Sequence, residues 1–254
     1  MAEPSIAAQM YTLRDHVKTL QDATASLQRV KAIGYDAVQL SAMEHLDAGA
    51  VRDILQHEGL TVCAMHTSYV RLRDDLDAVL DDLRTFECRY IAPGSMPPDY
   101  RNAEGYHRFA REASDIAHRL AEAGVIFGYH NHAFELEHFD GKMGLAILYE
   151  ESDPEVFTSE IDTYWIQYGG GNPGWWLRQL KGRAPLVHLK DMSIVENQQV
   201  MAEVGEGNLD WPDILAACRE AGVLWYIVEQ DFCRRDPFES LAISLHNLQA
   251  MGVA

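Results

Sequence analysis

Two hydrophobic rhythms alternate along the chain. Short continuous apolar runs suit buried strands, and longer stretches repeat their apolar positions every three or four residues, as a helix face does. The strand-like runs are Ser5–Met10, Ala37–Leu40, Leu60–His66, Arg89–Ala92, Val125–His130, Phe157–Asp162, Leu186–Leu189 and Trp225–Glu229. Helical spacing follows each of them, at Thr19–Ile33, Ala48–His57, Asp75–Phe86, Ala103–Ala123, Leu145–Glu150, near Trp175–Leu180, at Trp211–Ala221 and at Pro237–Met251. Gly34, Gly59, Gly124 and Gly222 stand where helices stop, and Asp210 stands where a helix cap belongs. The stretch Val195–Asn208 reads as a long Gly-bearing connection.

Strands that read as unbroken apolar runs, each followed by a helix, predict a parallel sheet covered on both faces. Eight units in 254 residues give about 32 residues each, the length of a βαβ unit. That number favours a closed α/β (β/α)8 TIM barrel over an open doubly wound sheet. No Gly-x-Gly-x-x-Gly follows the first strand, which leaves the dinucleotide-binding alternative little support. With no linker or low-complexity segment visible, residues 1–254 read as one catalytic barrel domain.

Composition narrows the partners. The formal charge is −18, from 21 basic and 39 acidic residues. Nucleic acid and anionic membrane surfaces both demand clustered Lys and Arg, so neither is expected. Cys63, Cys88, Cys218 and Cys233 are scattered and form no CxxC pair, which fits reduced thiols rather than a zinc ribbon or a disulfide framework. The opening Met1-Ala-Glu-Pro shows no basic or long apolar leader, and no stretch approaches a membrane span. A cytoplasmic, soluble protein is the expectation.

A TIM barrel carries its chemistry at the C-terminal ends of its strands. Those ends offer Gln9, Gln39, His66, Pro93, His130 with Asn131 and His132, Asp162, His188 with Lys190, and Glu229. Any one polar group there could simply cap a helix. Carboxylates and imidazoles converging from the last strands instead form a borderline-to-hard donor set suited to Mn²⁺, Mg²⁺, Co²⁺ or Zn²⁺. A dication would also relieve the mutual repulsion of the acids. Tyr11, Tyr69, Tyr164, Trp165, Trp175 and Trp176 are aromatics near the barrel mouth, available to stack on a ligand ring. Gly169-Gly-Gly171 lacks the Lys and Ser/Thr of a phosphate loop.

At these residues the chain resembles a known family. The segments Tyr129-His-Asn-His-Ala-Phe-Glu135, Glu160-Ile-Asp-Thr163, His188-Leu-Lys-Asp191, Val204-Gly-Glu-Gly-Asn-Leu-Asp-Trp211 and Val228-Glu-Gln230 are similar to motifs of the xylose isomerase-like TIM-barrel superfamily. They look most like its sugar phosphate isomerase/epimerase branch, in the HNHxFE form, and Gln9-Met-Tyr-Thr-Leu-Arg14 fits too. The resemblance covers essentially the whole chain. It implies one divalent metal ion held by a carboxylate, an aspartate, a histidine and a glutamate from the last four strands. Asp162, His188 and Glu229 match. Relatives often have Glu at the fifth position, where this chain has His130, so Glu135 is the expected ligand, with His130 or His132 as the alternative.

The resemblance further implies an isomerase or epimerase acting on a sugar, keto-sugar or cyclitol through a metal-stabilised enediolate. His130, His132, Glu229 and Lys190 are the expected catalytic groups. Gln9, His66, Trp165 and Lys190 are the expected substrate contacts. The alternative is β-elimination by a lyase or dehydratase on a keto-sugar or inosose, since the same enolate precedes both outcomes. A non-catalytic sugar-binding barrel ranks below these, and the acidic charge disfavours a nuclease-like branch. The partner is a small carbohydrate, and homo-oligomerisation is left open.

Overall fold

The computed structural model describes residues 4–253. The opening residues 1–3, read from the sequence as leading straight into structure, lie outside the described part. Eight parallel strands close on themselves: β1 (Ser5–Gln9), β2 (Ala37–Leu40), β3 (Thr61–Thr67), β4 (Tyr90–Pro93), β5 (Ile126–His130), β6 (Phe157–Asp162), β7 (Leu186–Leu189) and β8 (Trp225–Val228). β1 pairs with β2 on one side and β8 on the other, so no strand edge is left open. This is the predicted (β/α)8 barrel, with each predicted strand in place to within one or two residues.

Register and the two-residue strand period together place the chemistry. Successive side chains alternate faces, so the residue two positions before an inward-facing strand end also faces inward. Ala7, Ala37, Ala64, Leu186 and Ile227 stand two positions before Gln9, Gln39, His66, His188 and Glu229, and with Cys63 they form a small, separate buried apolar cluster. A dry plug therefore lies beneath the polar ring. The larger core packs the outer strand faces against the helices and includes Leu27, Val30, Leu55, Phe109, Ile161 and Leu245.

The helices depart from expectation in detail. A 3-10 stretch over Met10–His16 follows β1 directly, and a short helix Tyr69–Asp74 precedes Leu76–Thr85. After β6 the chain forms two helices, Thr163–Tyr168 and Pro173–Gln179. Part of the long connection after β7 is an antiparallel hairpin, Asp191–Val195 with Gln198–Ala202. Glu196 and Asn197 turn it with φ of 50° and 61°, the paired positive φ values of a two-residue type I′ turn. The ladder compensates Glu196 for a conformation that its Cβ disfavours.

Asp191 anchors the segment between this hairpin and the next helix. Its carboxylate accepts hydrogen bonds from the N–H groups of Met192 (2.7 Å), Gly205 (2.9 Å), Gly207 (3.1 Å) and Leu209 (3.2 Å), and from Trp211 Nε1 (2.6 Å). A Cβ on Gly207 would collide with that same carboxylate and with the Met192 carbonyl. The glycines of the Val204–Trp211 motif thus let backbone N–H groups close on a buried anion, and the motif is structural at this point. Among the described residues no helix is long and apolar enough to cross a membrane.

Candidate active site

Four strand ends meet over the apolar plug. His130 closes β5, Asp162 closes β6, His188 lies on β7, and Glu229 directly follows β8. One donor atom from each of these four buried residues lies within 4.8 Å of the others. The sheet register brings them together: His130 is paired with Glu160, and Asp162 with His188.

The site has two tiers. In the upper one, Asp162 Oδ2 lies 3.3 Å from His130 Nε2, and Glu229 Oε2 lies 2.7 Å from His188 Nδ1. The Lys190 ammonium sits against the same two oxygens, at 2.9 Å and 2.8 Å, and against Asp231 Oδ2 at 2.6 Å. In the lower tier, Gln39 Nε2 donates to Glu160 Oε1 at 2.7 Å. The Gln39 carbonyl oxygen therefore accepts, from Gln9 Nε2 at 2.6 Å and from His188 Nε2 at 2.7 Å. His66 Nε2 lies 2.5 Å from Glu160 Oε2. His188 spans both tiers, one ring nitrogen in each.

Burial and charge set the protonation of these groups. Burial is the largest single influence and would push the carboxyls of Asp162 and Glu229 up, but the Lys190 charge and the neighbouring His130 and His188 together outweigh it and hold both below their ordinary values. Burial likewise opposes protonation of His188, yet the neighbouring Glu160 and Glu229 charges hold its pKa up at about 10. Burial lowers His66, so it donates to Glu160 as a neutral imidazole. His132, buried beside His130, is pushed down to about 2 and is neutral.

Of the residues expected from the sequence, the fold gathers His130, Asp162, His188, Glu229 and Lys190 into the upper tier. Gln9 and His66 join the lower one. Glu135 stands apart from the four donors: its oxygens accept from the Tyr129 hydroxyl at 2.7 Å and the His132 N–H at 2.9 Å. The fifth-strand donor within reach is His130, the alternative to Glu135. His132 stacks against Trp165, ring centroids 5.3 Å apart, and the Lys190 ammonium lies 5.7 Å from the Trp165 ring centre. Both His132 Nδ1 and Trp165 Nε1 are buried with no hydrogen-bond partner. Tyr69, in contrast, packs in the core against Tyr100 and Phe109.

Glu160 and Asp231 were not expected in the site. The signal for Glu160 was present, because it stands two residues before Asp162 on one strand and so shares its inward face. A carboxylate inside a buried strand also needs partners. Asp231 lies beyond the last strand, where sequence position gives no orientation.

The donor set fits a divalent ion. Two imidazole nitrogens and two carboxylate oxygens form a borderline set, and all four residues are buried. His188 keeps its second nitrogen on Gln39, with Glu160 Oε1 at 3.3 Å. That outer partner is what orients a metal-binding imidazole and raises its basicity.

Comparison with known proteins agrees with this architecture. The family model for the xylose isomerase-like TIM barrel matches residues 27–248. No curated protein matches the sequence. Among solved structures, a sugar phosphate isomerase/epimerase from Parabacteroides distasonis superposes with a TM-score of 0.83 at 21% identity, covering 98% of this chain and 95% of that one. A D-allulose 3-epimerase from Methylomonas sp. gives 0.72 at 15% identity, covering 98% of each chain. A probable 3-DHS dehydratase involved in petrobactin synthesis from Bacillus anthracis gives 0.72 at 13%, covering 96% and 98%. At these identities the likeness is one of fold.

Proposed function

The chain belongs to the xylose isomerase-like TIM barrel family, and from that premise we propose a divalent-metal-dependent isomerase or epimerase acting on a sugar, keto-sugar or cyclitol. The observation that carries this reading is the buried convergence of His130, Asp162, His188 and Glu229, beside two unpartnered polar atoms, His132 Nδ1 and Trp165 Nε1. An unpaired buried polar atom costs about 1–3 kcal/mol, a cost that a bound hydroxyl-rich ligand removes. The solved relatives include an epimerase acting on D-allulose, which supports the substrate class.

A Mn²⁺, Co²⁺, Mg²⁺ or Zn²⁺ ion held by those four residues supplies Lewis-acid polarisation of a carbonyl, which acidifies the neighbouring C–H. The protein does the rest. Glu229 is ionised at neutral pH and is a candidate to take and return the proton at that carbon, with the imidazole of His130 as the other candidate. Lys190, the cation in contact with the Asp162 and Glu229 carboxylates, is a candidate to donate to a substrate oxygen once released from them. Trp165 Nε1–H and His132 Nδ1 hold hydroxyl groups, while Gln9 and His66 fix the lower tier that orients His188. The closed apolar plug beneath excludes water, which strengthens each of these electrostatic contacts.

A second reading, β-elimination by a lyase or dehydratase, is favoured by one feature. His132 is a second, neutral imidazole beside the cluster and is free of hydrogen bonds at Nδ1, where it would hold the hydroxyl of a departing group. The test is incubation of the Mn²⁺-loaded protein with ketoses, keto-sugars and inososes in D₂O, followed by proton NMR. Deuterium entering the carbon beside the carbonyl with an epimer or isomer as product supports the first reading. An unsaturated product supports the second. No exchange with any of them, together with no metal retained, would overturn both. Asp162→Asn and His188→Gln should each abolish exchange.

A further inference from the structure

The upper tier already contains a cation. Lys190 is fully buried, and its ammonium has three protons facing three carboxylate oxygens: Asp162 Oδ2 at 2.9 Å, Glu229 Oε2 at 2.8 Å and Asp231 Oδ2 at 2.6 Å. An ammonium has three donors and no acceptor, so this arrangement saturates it. Two of those oxygens are the ones that the imidazoles also approach, His130 Nε2 at 3.3 Å from Asp162 and His188 Nδ1 at 2.7 Å from Glu229. A dication bound by the four donors would compete with the ammonium for the Asp162 and Glu229 carboxylates. The third oxygen, on Asp231, belongs to no residue of the four-donor group.

We propose that Lys190 is a placeholder cation: its ammonium holds the Asp162–Glu229 pair when the metal is absent and withdraws onto Asp231 when the metal enters. The inference rests on the metal reading above. It follows from charge and geometry. Without a cation, two buried carboxylates at this spacing would repel each other and leave their oxygens unpaired. With two cations on the same oxygens, the ammonium and the dication would repel. A flexible four-carbon stem and a compact head let a lysine make such a short move, which a planar guanidinium could not. Asp231, already in contact, provides the destination, and from there the ammonium faces a substrate oxygen instead of the metal ligands. Metal loading would thus arm the lysine as a substrate contact.

The test is Mn²⁺ binding by calorimetry and by the loss of the free-ion EPR signal, on the full-length protein at fixed pH. Lys190→Met should bind Mn²⁺ at least about tenfold more tightly than the parent, because a like charge a few ångströms from the ion is removed. Asp231→Asn should weaken Mn²⁺ binding in the parent background by severalfold more than in the Lys190→Met background, since only in the former is there a lysine to relocate. This second comparison carries the test should Lys190→Met alone fold poorly, with Lys190→Gln as the replacement background. A parent that binds Mn²⁺ while Lys190→Met binds it equally or less tightly would overturn the placeholder and leave the metal reading standing. Binding by the variant alone would overturn both the metal reading for the parent and the placeholder, because the ammonium would then replace the metal instead of yielding to it. Absence of Mn²⁺ binding by both parent and variants would overturn both.

Discussion

The carboxylate of Glu135 is held by the hydroxyl of Tyr129 at 2.7 Å, with the His132 N–H at 2.9 Å on its other oxygen. The turn carrying His130 and His132 is therefore braced from behind by an acid that stands apart from the donor cluster. Glu135→Gln should retain Mn²⁺ affinity to within about threefold, whereas His130→Ala should lose it by about a hundredfold. Equilibrium metal titration of the two variants checks this, and the opposite ranking would make Glu135 the ligand.

The same residue predicts a pH effect on stability. Burial raises Glu135 from 4.5 to about 7. A folded-state pKa above the unfolded one means that the protonated form contributes stability that is fully present below about 4.5 and lost as pH rises through about 7. The loss is ~3 kcal/mol at 1.36 kcal/mol per unit. Glu135→Gln should flatten this slope, making the metal-free variant more stable than the parent at pH 8 but not at pH 4.5. Urea unfolding at both pH values measures it.

Trp165 separates a binding role from a packing role. Its indole N–H is buried and unpartnered, so Trp165→Phe should leave the free protein unchanged or stabilise it by up to ~1 kcal/mol. The same variant should raise KM for the sugar about tenfold, at about 1.4 kcal/mol per tenfold change. A loss of stability with unchanged KM would assign the ring to packing alone.

Glu160 orients His188 without joining the four donors. Glu160→Gln should lower Mn²⁺ affinity about 10–100-fold, as loss of an outer partner of a metal-bound imidazole does. Retained full affinity would show that Gln39 alone orients the ring.

Asp191 lies outside the four-donor group, and five donors converge on it. Asp191→Ala leaves them unpaired and should cost at least about 3 kcal/mol of unfolding free energy. Gly207→Ala should act in the same direction, since its Cβ would collide with the Asp191 carboxylate. Urea unfolding of each variant tests the pair.

The two hydrophobic rhythms were enough to read the barrel and the strand ends, because a strand buried on both faces and a helix covering it each impose a period that needs no knowledge of the partner. The hairpin turns were less legible. Asp140-Gly141, which turns a short antiparallel hairpin of His138–Phe139 with Lys142–Met143, is a turn signal that the periodicity reading passed over, and Glu196-Asn197 is held with positive φ by a ladder formed only after the chain folds back.

Within the site, residue type and position at a strand end identified Asp162, His188 and Glu229, since any inward-facing polar group at those ends must meet the others. Only the tertiary structure places His130, and not Glu135, within the group of four donors. They lie within six residues of one another, and which of them faces the donors depends on the turn after β5 and on Tyr129, which holds Glu135 aside. The ammonium among the acids was equally beyond the sequence. Lys190 and Asp231 are 41 residues apart, and their contact exists because β7 and β8 are neighbours whose register sets both side chains over one mouth.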